Sequence, residues 1–102
     1  MRELSMERVE SKAGAKFKVI GRITTANEMY FEKTLTDVLA EGISVIVLNM
    51  KEVTIMTSIG IRIILKTYKS CIEAGGRFRI EDPSDVVKNV MGLSALQQMM
   101  VV

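Results

Sequence analysis

Histidine is absent from the 102 residues. With it go the commonest general base and metal ligand and every Ser-His or Cys-His nucleophile pair. The one cysteine, Cys71, permits no internal disulfide, and beside the apolar side of a helical pattern it reads as a buried, inert thiol. No phosphate loop of the form Gly-x-x-x-x-Gly-Lys-Ser/Thr occurs, nor a Gly-x-Gly-x-x-Gly turn. The 12 acidic residues are dispersed, with no pair arranged for acid–base work. No apolar run approaches the ~20 residues of a membrane span. Met1–Glu7 carries acids where a signal peptide would have an apolar stretch. A net charge of +2, with 14 basic residues scattered among the acids, offers no patch for nucleic acid. These absences argue against an enzyme, a metal or cofactor protein, a nucleic-acid binder and a membrane protein, and they favour a cytoplasmic location.

What is present is a chain of 48% hydrophobic and 25% charged residues, long enough for one core and too short for two, so residues 1–102 are expected to form a single domain. Leu4–Val9 is a weak strand pattern. Lys16–Ile23 is a better one, because Phe17, Val19, Gly21 and Ile23 alternate with Lys16, Lys18, Ile20 and Arg22. With Gly14 near the tip, the two read as a hairpin. Thr25-Ala26-Asn27-Glu28 fits a capping box ahead of a helix whose buried stripe is Phe31, Leu35, Val38 and Leu39, ended by Gly42. The nearly continuous branched run Ile43–Leu48 predicts a central parallel strand buried on both faces, followed by a loop over Met50–Thr57. Arg77–Ile80 alternates as a further strand. Asp82-Pro83-Ser84-Asp85 reads as a helix start with proline at its first position. Val86, Val87, Val90 and Met91 are apolar positions of that helix, and Leu93–Met100 allows one or two helical turns more.

The chain turns on Val53–Tyr68. From Ile61 the apolar residues Ile61, Ile64, Leu65, Tyr68 and Ile72 take helical spacing, which predicts a helix over Ser58–Ala74 with that stripe buried and Arg62, Lys66, Lys69 and Glu73 wet. Ser58 or Thr57 can cap its first turn, and Gly75-Gly76 stops it. Strands joined through helices are expected to run parallel with right-handed crossovers. That places Gly21–Thr25 and Met50–Thr57 beside Ser58 on the carboxyl edge of the sheet, where such folds meet ligands and partners.

The turn Gly21-Arg22-Ile23-Thr24 and the strand ending Val47-Leu48-Asn49 are two of the features that can be compared with known families. The segment Ile55-Met56-Thr57-Ser58-Ile59-Gly60-Ile61, Ala74-Gly75-Gly76 before a strand, and Met91-Gly92-Leu93 near the end complete the set. In that order and spacing they resemble the STAS family, and within it the bacterial anti-sigma-factor antagonists of sporulation and stress pathways. The resemblance covers nearly the whole chain. It implies a small STAS-like α/β domain with a four-stranded, mostly parallel sheet, an antiparallel N-terminal strand and three to four helices. In the family the central motif reads Asp-Ser-Ser/Thr-Gly, and its first serine is phosphorylated by a partner that is both serine kinase and anti-sigma factor. That serine matches Ser58 and the glycine Gly60. The aspartate position holds Thr57, the second Ser/Thr is Ile59, and another family acid falls on Thr24.

The resemblance therefore implies a regulator that binds an anti-sigma-factor kinase, which itself holds ATP, and so releases a sigma factor. Phosphorylation of Ser58 would switch that binding off. Arg22, Ile23, Thr24, Thr25, Met56, Thr57, Ser58, Ile59, Gly60, Arg62 and Ile63 are the expected partner-binding residues, Ile59 and Ile63 because neither belongs to the expected buried stripe. No cofactor, metal, nucleic acid or membrane is implied, and a homodimer is left open. A plainer reading makes Ser58 or Thr57 an ordinary helix cap in a scaffold or dimerisation module that is never phosphorylated. A third reading is a small-ligand or nucleotide sensor using the same edge.

Overall fold

The structure, a computed structural model, describes residues 3–9, 12, 14–92 and 100–101. Strands β1 (Leu4–Val9) and β2 (Ala15–Ile23) form the expected hairpin, with Leu4 opposite Gly21 and Val9 opposite Lys16. Helix α1 (Glu28–Ala40) leads to β3 (Val45–Met56), α2 (Ser58–Glu73) leads to β4 (Arg77–Glu81), and α3 (Asp85–Met91) precedes a two-residue β5 (Met100–Val101). The sheet order is β1-β2-β3-β4-β5, antiparallel in its first pair and parallel in the rest. The expected four strands are thus in place, and β5 extends the sheet beside Ile80 and Glu81. Of the helical turns expected over 93–100, residues 93–99 lie outside the described residues, and Met100 belongs to β5.

Helices α1 and α2 pack on each other and on one face of the sheet, joined across their tops by Lys66 Nζ and Glu32 Oε2 at 3.0 Å. Phe17, Val19, Ile46, Leu48, Phe78 and Ile80 point into this core with Phe31, Leu35, Val38 and Ile64. Leu39 is half-buried against it. The other face is more open than the branched run of β3 implied: Val45 and Val47 are only half-buried, and the surface around them carries the pairs Lys16–Glu81 (2.7 Å) and Lys18–Glu52 (3.1 Å). That bond, with the charge of Glu52, raises the Lys18 pKa. Edge strand β1 is held by α1, whose Tyr30 hydroxyl accepts from the Met6 N–H (3.2 Å) and whose C-cap Glu41 pairs with Arg8 (3.1 Å). An edge occupied in this way is a poor template for a foreign strand.

Three local expectations fail for identifiable reasons. β3 does not end at Leu48 but runs on to Met56, through the segment expected as a loop. Two register shifts against β2 interrupt its alternation. Asn49 Oδ1 accepts from the Lys51 N–H (3.2 Å) at the first, and Thr54 Oγ1 donates to the Gly21 carbonyl (3.4 Å) at the second; bulges hide a strand from a period-2 search. The buried stripe of α2 is Gly60, Ile63, Ile64, Thr67 and Cys71, while Leu65 and Ile72 are exposed and Ile61 and Tyr68 half-buried. Isoleucines at 59, 61, 63 and 64 offer several helical phases, and the one realised puts small Gly60 and Thr67 against the sheet; the Thr67 hydroxyl is satisfied by the Ile63 carbonyl at 2.8 Å. In α3, Ser84 rather than Asp82 or Pro83 is the N-cap, so Pro83 lies before the helix. Gly42 (φ 85°) and Gly75 (φ 78°) end α1 and α2 as expected, in a left-handed conformation that glycine adopts without strain.

Candidate functional site

The carboxyl ends of β2 and β3 meet at one carbonyl. The oxygen of Ile23 accepts from the Thr57 N–H at 3.1 Å and from the Thr57 hydroxyl at 3.4 Å. Thr57 is the N-cap residue of α2, yet its side chain is spent on β2 and makes no capping bond. Ser58 follows as the first residue of the helix. It is exposed, and its hydroxyl makes no hydrogen bond among the described residues. The cap expected from either residue is therefore absent. The first turn of α2 also holds no acid, so its N–H groups and the positive end of its dipole face outward without a carboxylate of their own.

The loop from β2 to α1 is tied down differently from the capping box expected on Thr25. Asn27 Oδ1 accepts from the Thr24 N–H (3.0 Å), Asn27 Nδ2 donates to the Arg22 carbonyl (2.6 Å), and Thr24 Oγ1 accepts from the Ala26 N–H (3.2 Å). An asparagine side chain that bridges both ends of a short turn removes most of its freedom. Arg22, Thr24 and Thr25 are consequently displayed at fixed places beside the start of α2, Arg22 and Thr25 exposed and Thr24 half-buried.

Other residues expected to touch a partner are inside. Ile23, Met56 and Ile63 are buried, Ile63 only 4% exposed, and Gly60 is buried with them. These four support the edge from beneath, because the helical phase of α2 turns Ile63 inward, to the floor of the cleft between α1 and α2. Gly60 serves packing rather than access to Ser58. A Cβ there would lie 2.8 Å from Met56 Cγ and 2.9 Å from Ile23 Cγ2, so its absence lets the first turn settle onto those two side chains. Ile59 is half-buried against the core. Thr57, Ser58, Ile59, Arg22, Thr24, Thr25 and Arg62 remain as residues the edge can offer.

Two apolar residues that the sequence reading passed over belong on the same edge. Met29, in the first turn of α1, is 80% exposed, and Ile55, beside Arg22 near the end of β3, is 38% exposed. Met29 was legible, since it stands off the Phe31-Leu35-Val38 stripe. Ile55 was not, because two bulges set its side. Between α1 and α2 runs a cleft of about 350 Å³ lined by Glu28, Met29, Glu32, Arg62, Ile63 and Lys66. Among the described residues no cluster of three or more acidic, cysteine or histidine side chains could hold a metal ion, and no helix is long and apolar enough to cross a membrane. Cys71 is fully buried, which pushes its thiol pKa up and keeps it from acting as a thiolate nucleophile.

The family model described as STAS domain matches residues 6–102. No curated protein matches the chain significantly. Among solved structures, the anti-sigma factor antagonist SpoIIAA in its unphosphorylated form is similar over 95% of this chain and 86% of its own, with a TM-score of 0.84 at 16% identity. The phosphorylated form of SpoIIAA, a Bacillus cell fate determinant, matches with a TM-score of 0.77 at 17% identity, covering 96% and 88%. An anti-sigma factor antagonist from Mycobacterium paratuberculosis matches with a TM-score of 0.83 at 18% identity, covering 95% and 82%. At such identities the likeness is one of fold.

Proposed function

The chain belongs to the STAS domain family, and from that premise we propose that it is an anti-sigma-factor antagonist, a regulatory binding module with no catalytic step of its own. It docks through the edge built from the ends of β2 and β3 and the starts of α1 and α2 on an anti-sigma factor with serine kinase activity, freeing the sigma factor held there. Phosphorylation of Ser58 ends the complex. The observation that carries this reading is the exposed hydroxyl of Ser58, uncommitted to any cap, at the first position of a 16-residue helix. SpoIIAA is a fold neighbour in both its unphosphorylated and phosphorylated forms, which agrees with a modification that leaves the fold in place.

The switch works through charge. A phosphate adds about −1.5 to −2 charges at neutral pH. On the free domain, the first-turn N–H groups and the dipole of α2 favour an anion. At an interface the same group is stripped of water on a surface that had met a neutral hydroxyl, and ~3 kcal/mol of penalty for its uncompensated charge already lowers affinity roughly a hundredfold. The domain stays folded while the complex dissociates.

A second reading, a STAS scaffold that is never phosphorylated, draws on Thr24 and Thr57. Where the resemblance places family acids, this chain has hydroxyls engaged in turn and inter-strand bonds, so a kinase that reads those acids finds none. Incubation with an anti-sigma-factor kinase and ATP, with phosphate located by mass spectrometry, separates the two: the switch requires phosphate on Ser58 and loss of binding by Ser58→Glu. Undiminished binding of Ser58→Glu would leave the scaffold as the better description.

A further inference from the structure

One exposed cation stands a single helical turn beyond Ser58. Arg62 lines the cleft between α1 and α2 with Glu28, Glu32 and Lys66. Lys66 and Glu32 are paired with each other at 3.0 Å, while Arg62 and Glu28 have no ion pair among the described residues. Helix positions four apart are neighbours, with Cβ atoms about 5–6 Å apart, and an acid placed N-terminal to a base is the favourable order. A guanidinium also matches two phosphate oxygens at once, which an ammonium cannot do. With no acid in the first turn of α2, the carboxylate nearest in role as a competitor for Arg62 is Glu28 across the cleft, and it carries less charge than a phosphate.

We infer that Arg62 is the intramolecular counter-ion of a phosphate on Ser58. Its side chain swings back one turn along α2 to hold the phosphate at the mouth of the cleft. The inference rests on the reading of Ser58 as phosphoacceptor and adds a step to it. Before modification, Arg62 is a free cation on the docking edge, available to a carboxylate of the partner. After modification it is consumed by the phosphate, so a single event both adds an anion to the edge and withdraws a cation from it. Arg62 acts here as a positioning residue, and no chemistry is assigned to it.

The test installs phosphoserine at position 58 during translation, so no kinase is needed, and follows the phosphate by 31P NMR between pH 4 and 9. In the otherwise unchanged protein the phosphate should titrate below its ordinary value of about 6. Arg62→Gln should raise that midpoint by about half a unit, the size expected for a partly exposed charge pair at a helix terminus. Arg62→Lys should recover part of the difference, which a merely structural role for the arginine would not predict. Equal midpoints in the presence of Arg62 and of glutamine would overturn the inference while leaving the switch intact. A kinase that ignores Ser58 would overturn the switch and leave the titration as described.

Discussion

Among the described residues two serines stand at helix starts, and they are used in opposite ways. Ser84 is the N-cap of α3: its Oγ accepts from the Val87 N–H at 3.3 Å, and Asp85 adds an acid to the first turn. Ser58 lies one position further along at the start of α2, with no cap bond and no acid nearby in the helix. The seven-residue α3 would fray without its cap. The 16-residue α2 is instead pressed onto the sheet by Gly60, Ile63, Ile64, Thr67 and Cys71, and it can leave its first turn open. Packing, rather than capping, holds the start of α2, and this leaves the Ser58 hydroxyl uncommitted.

The sharpest way to break that comparison is to attack the packing. Gly60→Val would drive a branched side chain into Met56 and Ile23, both already buried, and should destabilise the domain by about 3 kcal/mol in urea unfolding, at the upper end for overpacked sites. A loss under about 1 kcal/mol would mean that the first turn of α2 is not held in the way described. Next in size is the turn that orients the rest of the edge. Asn27→Ala removes the bonds to Thr24 and Arg22 and should cost about 1–2 kcal/mol, with amide exchange rising over residues 24–27. Ser84→Ala should then cost about 1 kcal/mol, the ordinary value of an N-cap, and weaken α3 without touching the edge.

Much of this architecture was readable from the residues. The alternation over Lys16–Ile23, the Phe31-Leu35-Val38-Leu39 stripe and the branched run Ile43–Leu48 gave the strand and helix order, because each pattern marked the type of its element even where it misjudged the ends or the burial. The parallel connections then brought the ends of β2 and β3 together, as the bonds from Thr57 to the Ile23 carbonyl show. Illegible features were those where several solutions share one pattern. Closely spaced isoleucines in α2 do not declare which of them is buried; the close approach allowed by Gly60 decides it, and Ile63 goes inside. The two bulges of β3 erase the alternation that would have revealed Lys51–Met56 as strand and placed Ile55 on the surface. Thr57 illustrates the same limit at a single side chain. Nothing local says that its hydroxyl will prefer a carbonyl on a neighbouring strand to the amides of its own helix.

The smallest expected effects fall on Ser58 itself, and they discriminate best. Ser58→Ala removes a hydroxyl that has no partner among the described residues, so urea unfolding should place it within about 0.5 kcal/mol of the original, as for other surface changes remote from a cap or core. Ser58→Glu puts a carboxylate at the positive end of α2 and one turn before Arg62, and it should match or exceed the original stability by about 0.3–1 kcal/mol at low salt, a gain that 1 M NaCl removes. If instead Ser58→Ala cost as much as Ser84→Ala, the hydroxyl would be serving α2 as a cap, and the contrast between the two serines would vanish together with the free acceptor that the proposed switch requires.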